Sequence, residues 1–398
     1  MNEGFDTGIR EWHRAVFTAL ADGGLDGLAN AAGLCAESPE PSSQTSGLVE
    51  HALMECAFRL ETARDLTRAA PLYQRLAEAP WADACHRTNA WYRLAIVRME
   101  MGDIAESVDA CQAAVAPGAD SRFLAQARLL LVHLLKRQTR WEESLAELGR
   151  VLSDPTAQVP HLELLLQVTT CRARLGRTDA AQVPLELPPP GSSVSETTAR
   201  LWMEAAFAVE ESGDWRTAGA MYDRLLAQNG LPCDVLVNAS YRCGLVAELR
   251  MDWEAGRRLY EAAITAPQCL PTVHKAAHQR LAELLLLLEE YELAASHFET
   301  LCANPELSDT ERAALLLQRA RCLWSLRDAD RARSDLSACR ALCPGSELEV
   351  RADLLLAEIF VQQGDQNAAA ECCRRIAAHP GAEPLTKAAA LAYAAQAQ

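Results

Sequence analysis

The sequence is short of aromatic residues, of basic charge and of long apolar runs, and each shortage removes a class of protein. Aromatic side chains make up 6% of 398 residues, so contacts between structural elements have to be built mostly from small aliphatic groups. Lys and Arg number 38 against 54 Asp and Glu, a formal charge of −16. No run of four Lys/Arg occurs, whereas a nucleic-acid binder needs a basic footprint to displace counterions. Nucleic acid and anionic membranes are therefore disfavoured as partners. The first 65 residues are the most lopsided, with eleven acids against four arginines. Apolar runs such as Leu284 to Leu288 fall far short of the ~20 residues of a membrane span. The opening Met1-Asn2-Glu3-Gly4-Phe5-Asp6 has no basic region followed by an apolar core, so no Sec-type signal is expected there. The expectation is a cytoplasmic protein with no membrane insertion.

Chemical motifs are also missing. None of the fourteen cysteines forms a CxxC pair, and a disulfide framework belongs to small secreted domains rather than to a chain of this length. The cysteines, including adjacent Cys372 and Cys373, read as buried free thiols that behave as small apolar residues. No GxxxxGKS/T, GxGxxG or GxSxG sequence is present, so phosphate loops and nucleophile elbows have no support. Neither an enzyme nor a cofactor-dependent protein is expected. His274-x-x-x-His278 puts two imidazoles at a spacing that suits zinc, with Cys269, His297 and Cys302 nearby in sequence. The glutamate that an HExxH protease requires is absent, and no metal site is expected. The carboxylate pairs Glu142-Glu143, Glu210-Glu211 and Glu289-Glu290 lie beside turns and read as solvated helix ends.

What the chain has in quantity is alanine and leucine, which lose little conformational freedom in a helix, and a repeat. Turn signatures fall at Asp65, Asp103, Arg140, Arg177, Asp214, Asp252, Glu290, Asp328 and Asp365, in steps of 37 or 38 residues. Glycine often precedes the marker, where it can adopt the left-handed conformation that ends a helix, and aspartate at the marker can cap the next one. Apolar residues at three- and four-residue spacing flank each marker. Proline follows the second run at Pro80, Pro117, Pro155, Pro188, Pro267, Pro305, Pro344 and Pro380, where it withholds a backbone donor and disfavours helix before it. Each unit thus reads as two antiparallel helices.

These units resemble tetratricopeptide repeats. The resemblance is carried by Asn89-Ala90-Trp91-Tyr92-Arg93-Leu94-Ala95 with Gly102-Asp103, and by Trp202, Ala205-Ala206, Gly213-Asp214-Trp215, Ala218, Tyr222 and Leu225. Gly244, Asp252-Trp253, Tyr260 and Ala263 form a third match; Ala282, Tyr291, Ala294 and Phe298 form a fourth. It implies an all-α fold, an α-solenoid of antiparallel helix pairs in a right-handed superhelix. Its period is longer than the family's usual 34, and the unit at Gly176-Arg177 is the weakest, because Pro184 interrupts its second helix. The expected layout is a degenerate helical pair over 1–35, a linker over 36–47, units one to four over 48–190, units five to nine over 191–384, and a capping helix over 385–398. The proline-rich segment 188–193 reads as either a hinge or an ordinary longer loop.

The resemblance further implies that first helices line a groove that takes a partner protein or peptide. Projecting the inward-facing helical spacing onto the chain selects Tyr92, Arg93 and Ile96, then His133 and Lys136, Gln167, and Met203 and Phe207. The later units contribute Tyr241 and Arg242, Gln279 and Glu283, and Gln318, Arg321 and Trp324. Family members that grip a C-terminal carboxylate use lysine, asparagine and arginine at positions occupied here by Met54, Phe58, Arg93, Gln126 and Leu130, so a chaperone-tail clamp is not expected in these units. The function expected is a non-catalytic scaffold or adaptor that binds a protein. The alternatives are a regulatory module that clamps a signalling peptide or effector and, less favoured, a metal-dependent protein using His274 and His278.

Overall fold

The computed structural model describes residues 2–22, 24–38, 40–117, 119, 123–177, 188–267 and 270–396. Its helices are α1 (Asn2–Ala21), α2 (Leu25–Ala36), α3 (Ser46–Thr62), α4 (Leu66–Glu78), α5 (Ala84–Met101), α6 (Ile104–Ala114), α7 (Leu124–Arg137), α8 (Trp141–Leu152), α9 (His161–Arg174) and α10 (Glu196–Glu211). They continue with α11 (Trp215–Leu226), α12 (Cys233–Leu249), α13 (Trp253–Thr265), α14 (Pro271–Leu287), α15 (Tyr291–Cys302), α16 (Asp309–Ser325), α17 (Ala329–Leu342), α18 (Glu347–Gln363), α19 (Gln366–Ala378) and α20 (Pro384–Gln396). No strand occurs among the described residues; Ser193 and Asn229 form an isolated bridge. The described residues are all-α, arranged mostly as antiparallel helix pairs.

Every sequence marker falls at one structural position, directly after a left-handed residue. Arg64, Gly102, Thr139, Gly176, Gly213, Met251, Glu289, Arg327 and Gly364 have φ between 58° and 93°. At each, two backbone bonds close the preceding helix in a Schellman pattern; Asp103 N donates to Arg98 O (2.9 Å) and Gly102 N to Met99 O (3.1 Å). At the markers other than Arg177, whose following residues are not described, the marker then opens the second helix. Asp65, Asp252, Asp328 and Asp365 accept from the backbone N–H three residues on, at 3.0–3.3 Å. Prolines 80, 117, 155, 267, 305, 344 and 380 each lie two or three residues past a second helix.

Packing within a pair repeats as strictly. Eight residues before the marker stand Ala57, Ala95, Val132, Ala206, Gly244, Ala282, Ala320 and Ala357; four after it stand Ala69, Ser107, Ser144, Ala218, Gly256, Ala294, Ala332 and Ala369, all buried. Small residues at both positions let the two helices approach closely. A β-carbon on Gly244 would lie 2.6 Å from Cε1 of Tyr260. Ser107 and Ser144 use the same closeness to donate to Ala95 O (2.6 Å) and Val132 O (3.5 Å). Eight residues after the marker, the deepest side chains fill the space beyond: Tyr73, Tyr222, Tyr260 and Phe298 are fully buried.

Contacts divide the chain into two compact units. The first comprises 1–187 with 207–214, the second 188–206 with 215–398. In the first, α1 touches α3 and α3 touches α5 as well as each helix touching its sequence neighbour; in the second, α12 touches α14 and α16 touches α18. These first helices of adjacent pairs therefore lie side by side, and the lone α20 packs on α19.

Two loops are more ordered than their composition predicts. In 36–47, Ser38 and Thr45 are buried, Arg75 donates to the carbonyls of Ala36 and Ser38, and α3 already begins at Ser46. The proline-rich segment is tied to the end of α11: Gly191 N donates to Ala227 O (2.7 Å), Asn229 N to Ser192 O (2.9 Å), and Arg224 Nε to Pro188 O (3.1 Å). Pro184 and Cys269 lie outside the described residues.

Candidate partner-binding surface

All fifteen projected residues are at the surface or half-buried; none falls in the core. Their surroundings differ. Arg93 is an internal strut. Its Nη1 lies 3.2 Å from Glu61 Oε1, its guanidinium covers the Phe58 ring at 5.1 Å, and the Tyr73 hydroxyl donates to the other oxygen of Glu61 at 2.7 Å. The second unit repeats this arrangement, with Tyr260 donating to Glu248 (2.5 Å) and Arg280 paired with Glu248. Burial first, then the neighbouring carboxylate, pushes both phenols well above their ordinary range. Glu210 occupies the same repeat position as Glu61 and Glu248 and is only 3% exposed. The solvated helix end expected at Glu210 is thus corrected: this carboxylate is buried.

Other projected residues are also held within the chain. Tyr92 stacks on Phe123, with ring centroids 5.9 Å apart, and Tyr241 lies tilted against Tyr260 at 6.0 Å. Arg174 covers both Trp141 (5.9 Å) and Phe207 (5.7 Å). Trp324 Nε1 donates to Glu358 at 3.3 Å. Gln279 donates to Glu283 (3.1 Å), which also receives Arg280 (2.9 Å). His133 is exposed, while Ile96, Lys136, Gln167, Met203 and Arg242 are half-buried.

Gln318 and Arg321 are brought together. Arg321 Nη1 donates to Gln318 Oε1 at 3.1 Å, and the two border a cavity of about 520 Å³ between α16 and α18 in the second unit. Leu317, Leu354 and Leu355 supply its apolar walls, and Arg351 and Glu358 its remaining polar groups. Arg321 is in no ion pair among the described residues, whereas Arg351 is paired with Glu347 at 2.6 Å. The projection stopped at α16 and missed α18. A further step of 37 residues from Gln318 and Arg321 lands on Leu355 and Glu358, so the signal was present in the period itself.

The histidine pair singled out by spacing is not brought together as a ligand pair. The His274 ring is buried, with Nε2 3.2 Å from Pro267 O. His278 instead meets His297 across α14 and α15, Nδ1 to Nδ1 at 3.0 Å. Burial, and for His278 the neighbouring His297 charge as well, lowers the pKa of both below 6.5. Among the described residues no three His, Cys, Asp or Glu side chains gather as a metal site. No helix among them is long and apolar enough to cross a membrane.

No family model matches the chain, and no curated protein matches it. Solved structures do. The chain is similar to YrrB, described as a TPR protein with an unusual peptide-binding site, at 17% identity over 49% of this chain and 92% of that one, with a TM-score of 0.40. It is similar to the C-terminal part of a TPR repeat-containing protein from Cytophaga hutchinsonii at 14% identity over 64% and 96%, TM-score 0.46. A third similar structure is BtubC from P. vanneervenii, at 17% identity over 57% and 95%, TM-score 0.38. At these values the likeness bears on no site or partner of this chain.

Proposed function

We propose that the chain is a non-catalytic adaptor that binds a segment of a partner protein along the first helices of its second unit. The observation that carries this reading is the cavity between α16 and α18, with leucine walls and the Arg321 guanidinium held by Gln318. Partner interfaces draw most of their energy from a few arginine and aromatic anchors set among apolar contacts. Arg321, with Trp324 one turn along α16, has that composition. The acidic balance of the chain favours proteins over nucleic acids as partners.

The test is affinity capture from native lysate with wild-type chain and with the double variant Arg321→Glu/Leu354→Asp, quantified by mass spectrometry. Proteins enriched by the wild type and lost by the double variant are expected. Identical recovery by both would overturn this placement of the binding surface.

A further inference from the structure

A second pocket lies on another part of the second unit, at the end where first helices turn into second ones. The exposed Trp215 begins α11, and Leu249 and Arg250 close α12 beside it. Together with Arg216, Ala220 and Val246 they enclose about 710 Å³, within the range of side-chain and ligand pockets. Trp215 is 40% exposed and Leu249 60% exposed, so large apolar side chains rim the opening. Scattered exposed leucines need no explanation, but clustered ones around a concavity mark an interaction surface.

The polar groups of this pocket are both cationic. Arg250 Nη2 donates to the carbonyl of Arg216 at 3.2 Å, which uses one of its five donors. The close packing of α12 on α11 depends on Gly219. A β-carbon there would lie 2.6 Å from Arg250 Nη2 and 2.7 Å from Val246 Cγ1. Glycine therefore lets the guanidinium rest across α11 in a fixed place. Neither Arg216 nor Arg250 is in an ion pair among the described residues, although acids outnumber bases by 16 in this chain and arginines such as Arg257 and Arg280 have carboxylate partners.

We propose that the pocket formed by Trp215, Leu249, Arg216 and Arg250 is a docking site for a partner protein segment that inserts a bulky apolar side chain and sets an Asp or Glu carboxylate against the two guanidiniums. The apolar walls call for the side chain, and the two uncompensated cations call for the carboxylate. A guanidinium–carboxylate bond is charge-assisted and stronger than a neutral one. This site is separate from the cavity between α16 and α18 and does not depend on it.

The experiment uses the full chain labelled with ¹⁵N, reading the Trp215 indole resonance, which Trp215→Phe identifies. The probes are the acetylated, amidated dipeptides Phe-Asp and Phe-Asn. Phe-Asp is expected to shift the Trp215 resonance saturably and to bind about tenfold more tightly than Phe-Asn, the difference between a charge-assisted and a neutral hydrogen bond. Arg250→Gln should abolish that preference, Arg216→Gln should reduce it, and Arg321→Gln should leave it unchanged. If Arg250→Gln does not fold, Arg216→Gln at an exposed position decides alone. No saturable shift, equal affinity for the two probes, or a preference left unchanged by loss of either pocket arginine would overturn the proposal.

Discussion

Thr139 has φ +58° at the one point in its unit where the α7–α8 turn needs a left-handed residue. That conformation costs an L-residue about 1–2 kcal/mol, and a β-branched side chain tolerates it least. Glycine there would remove the cost but lose about 0.5–1 kcal/mol through its freer unfolded chain. Thr139→Gly is therefore expected to stabilise the first unit by roughly 0.5–1 kcal/mol. The same position supplies its own control in the neighbouring repeat. Gly102 has φ +93° and nothing within 4 Å of an added β-carbon, so Gly102→Ala changes the backbone term alone and should destabilise by about 1 kcal/mol. Repeat arrays lose all-or-none behaviour as they lengthen, so urea midpoints should be paired with amide exchange of the two turns. If Thr139→Gly lowers the midpoint, or Gly102→Ala leaves it unchanged, the left-handed turn does not set local stability and the reasoning fails.

Gly244→Ala should destabilise the second unit by up to about 2 kcal/mol, because overpacking against the buried Tyr260 ring, about 1–3 kcal/mol, outweighs the gain of about 1 kcal/mol in helix propensity; urea denaturation measures it, and a net stabilisation would contradict the close approach. His278 and His297 have pKa values lowered by burial, so the unfolded chain takes up protons near pH 6.5 before the folded one does. Stability should therefore fall as pH drops below about 6.5, and His297→Asn should flatten that slope in thermal melts between neutral and mildly acidic pH. Burial pushes the thiols of Cys111 and Cys322 up to about 12 and about 11, while Cys85 is exposed. Brief iodoacetamide treatment followed by peptide mass mapping should find Cys85 modified well ahead of Cys111 and Cys322, since the thiolate is the reactive form.

Much of the repeat was legible because it is local. A helix stop, a cap and a proline act within a few residues of themselves, and their spacing survives unchanged in the structure at Asp103, Asp252 and Asp365. The left-handed residue was legible only where it is glycine. At Arg64, Thr139, Met251, Glu289 and Arg327 the side chain gives no hint of its backbone, and the packing of the two helices it joins imposes the conformation.

The site was legible in part. Helical spacing and the family resemblance put the projected residues on the accessible face, since the face a residue occupies follows from 3.6 residues per turn. Spacing does not say which accessible arginine already has a partner. Arg93 and Arg321 look alike along the chain, yet one is bound to Glu61 from the preceding pair and the other is left with Gln318 alone. Likewise His278 was read with His274, its neighbour along one helix, and the structure joins it to His297 on the next.

The order and period of the helices, and the stops that glycine makes, were thus determined by the sequence alone, because those choices rest on backbone propensity and capping within one turn. Which charges are neutralised, which tyrosines find a carboxylate and where leucines leave an open pocket were decided only by tertiary structure. Each depends on side chains that meet from different helices, dozens of residues apart, once the small residues at Gly244, Ala282 and their equivalents have let those helices close.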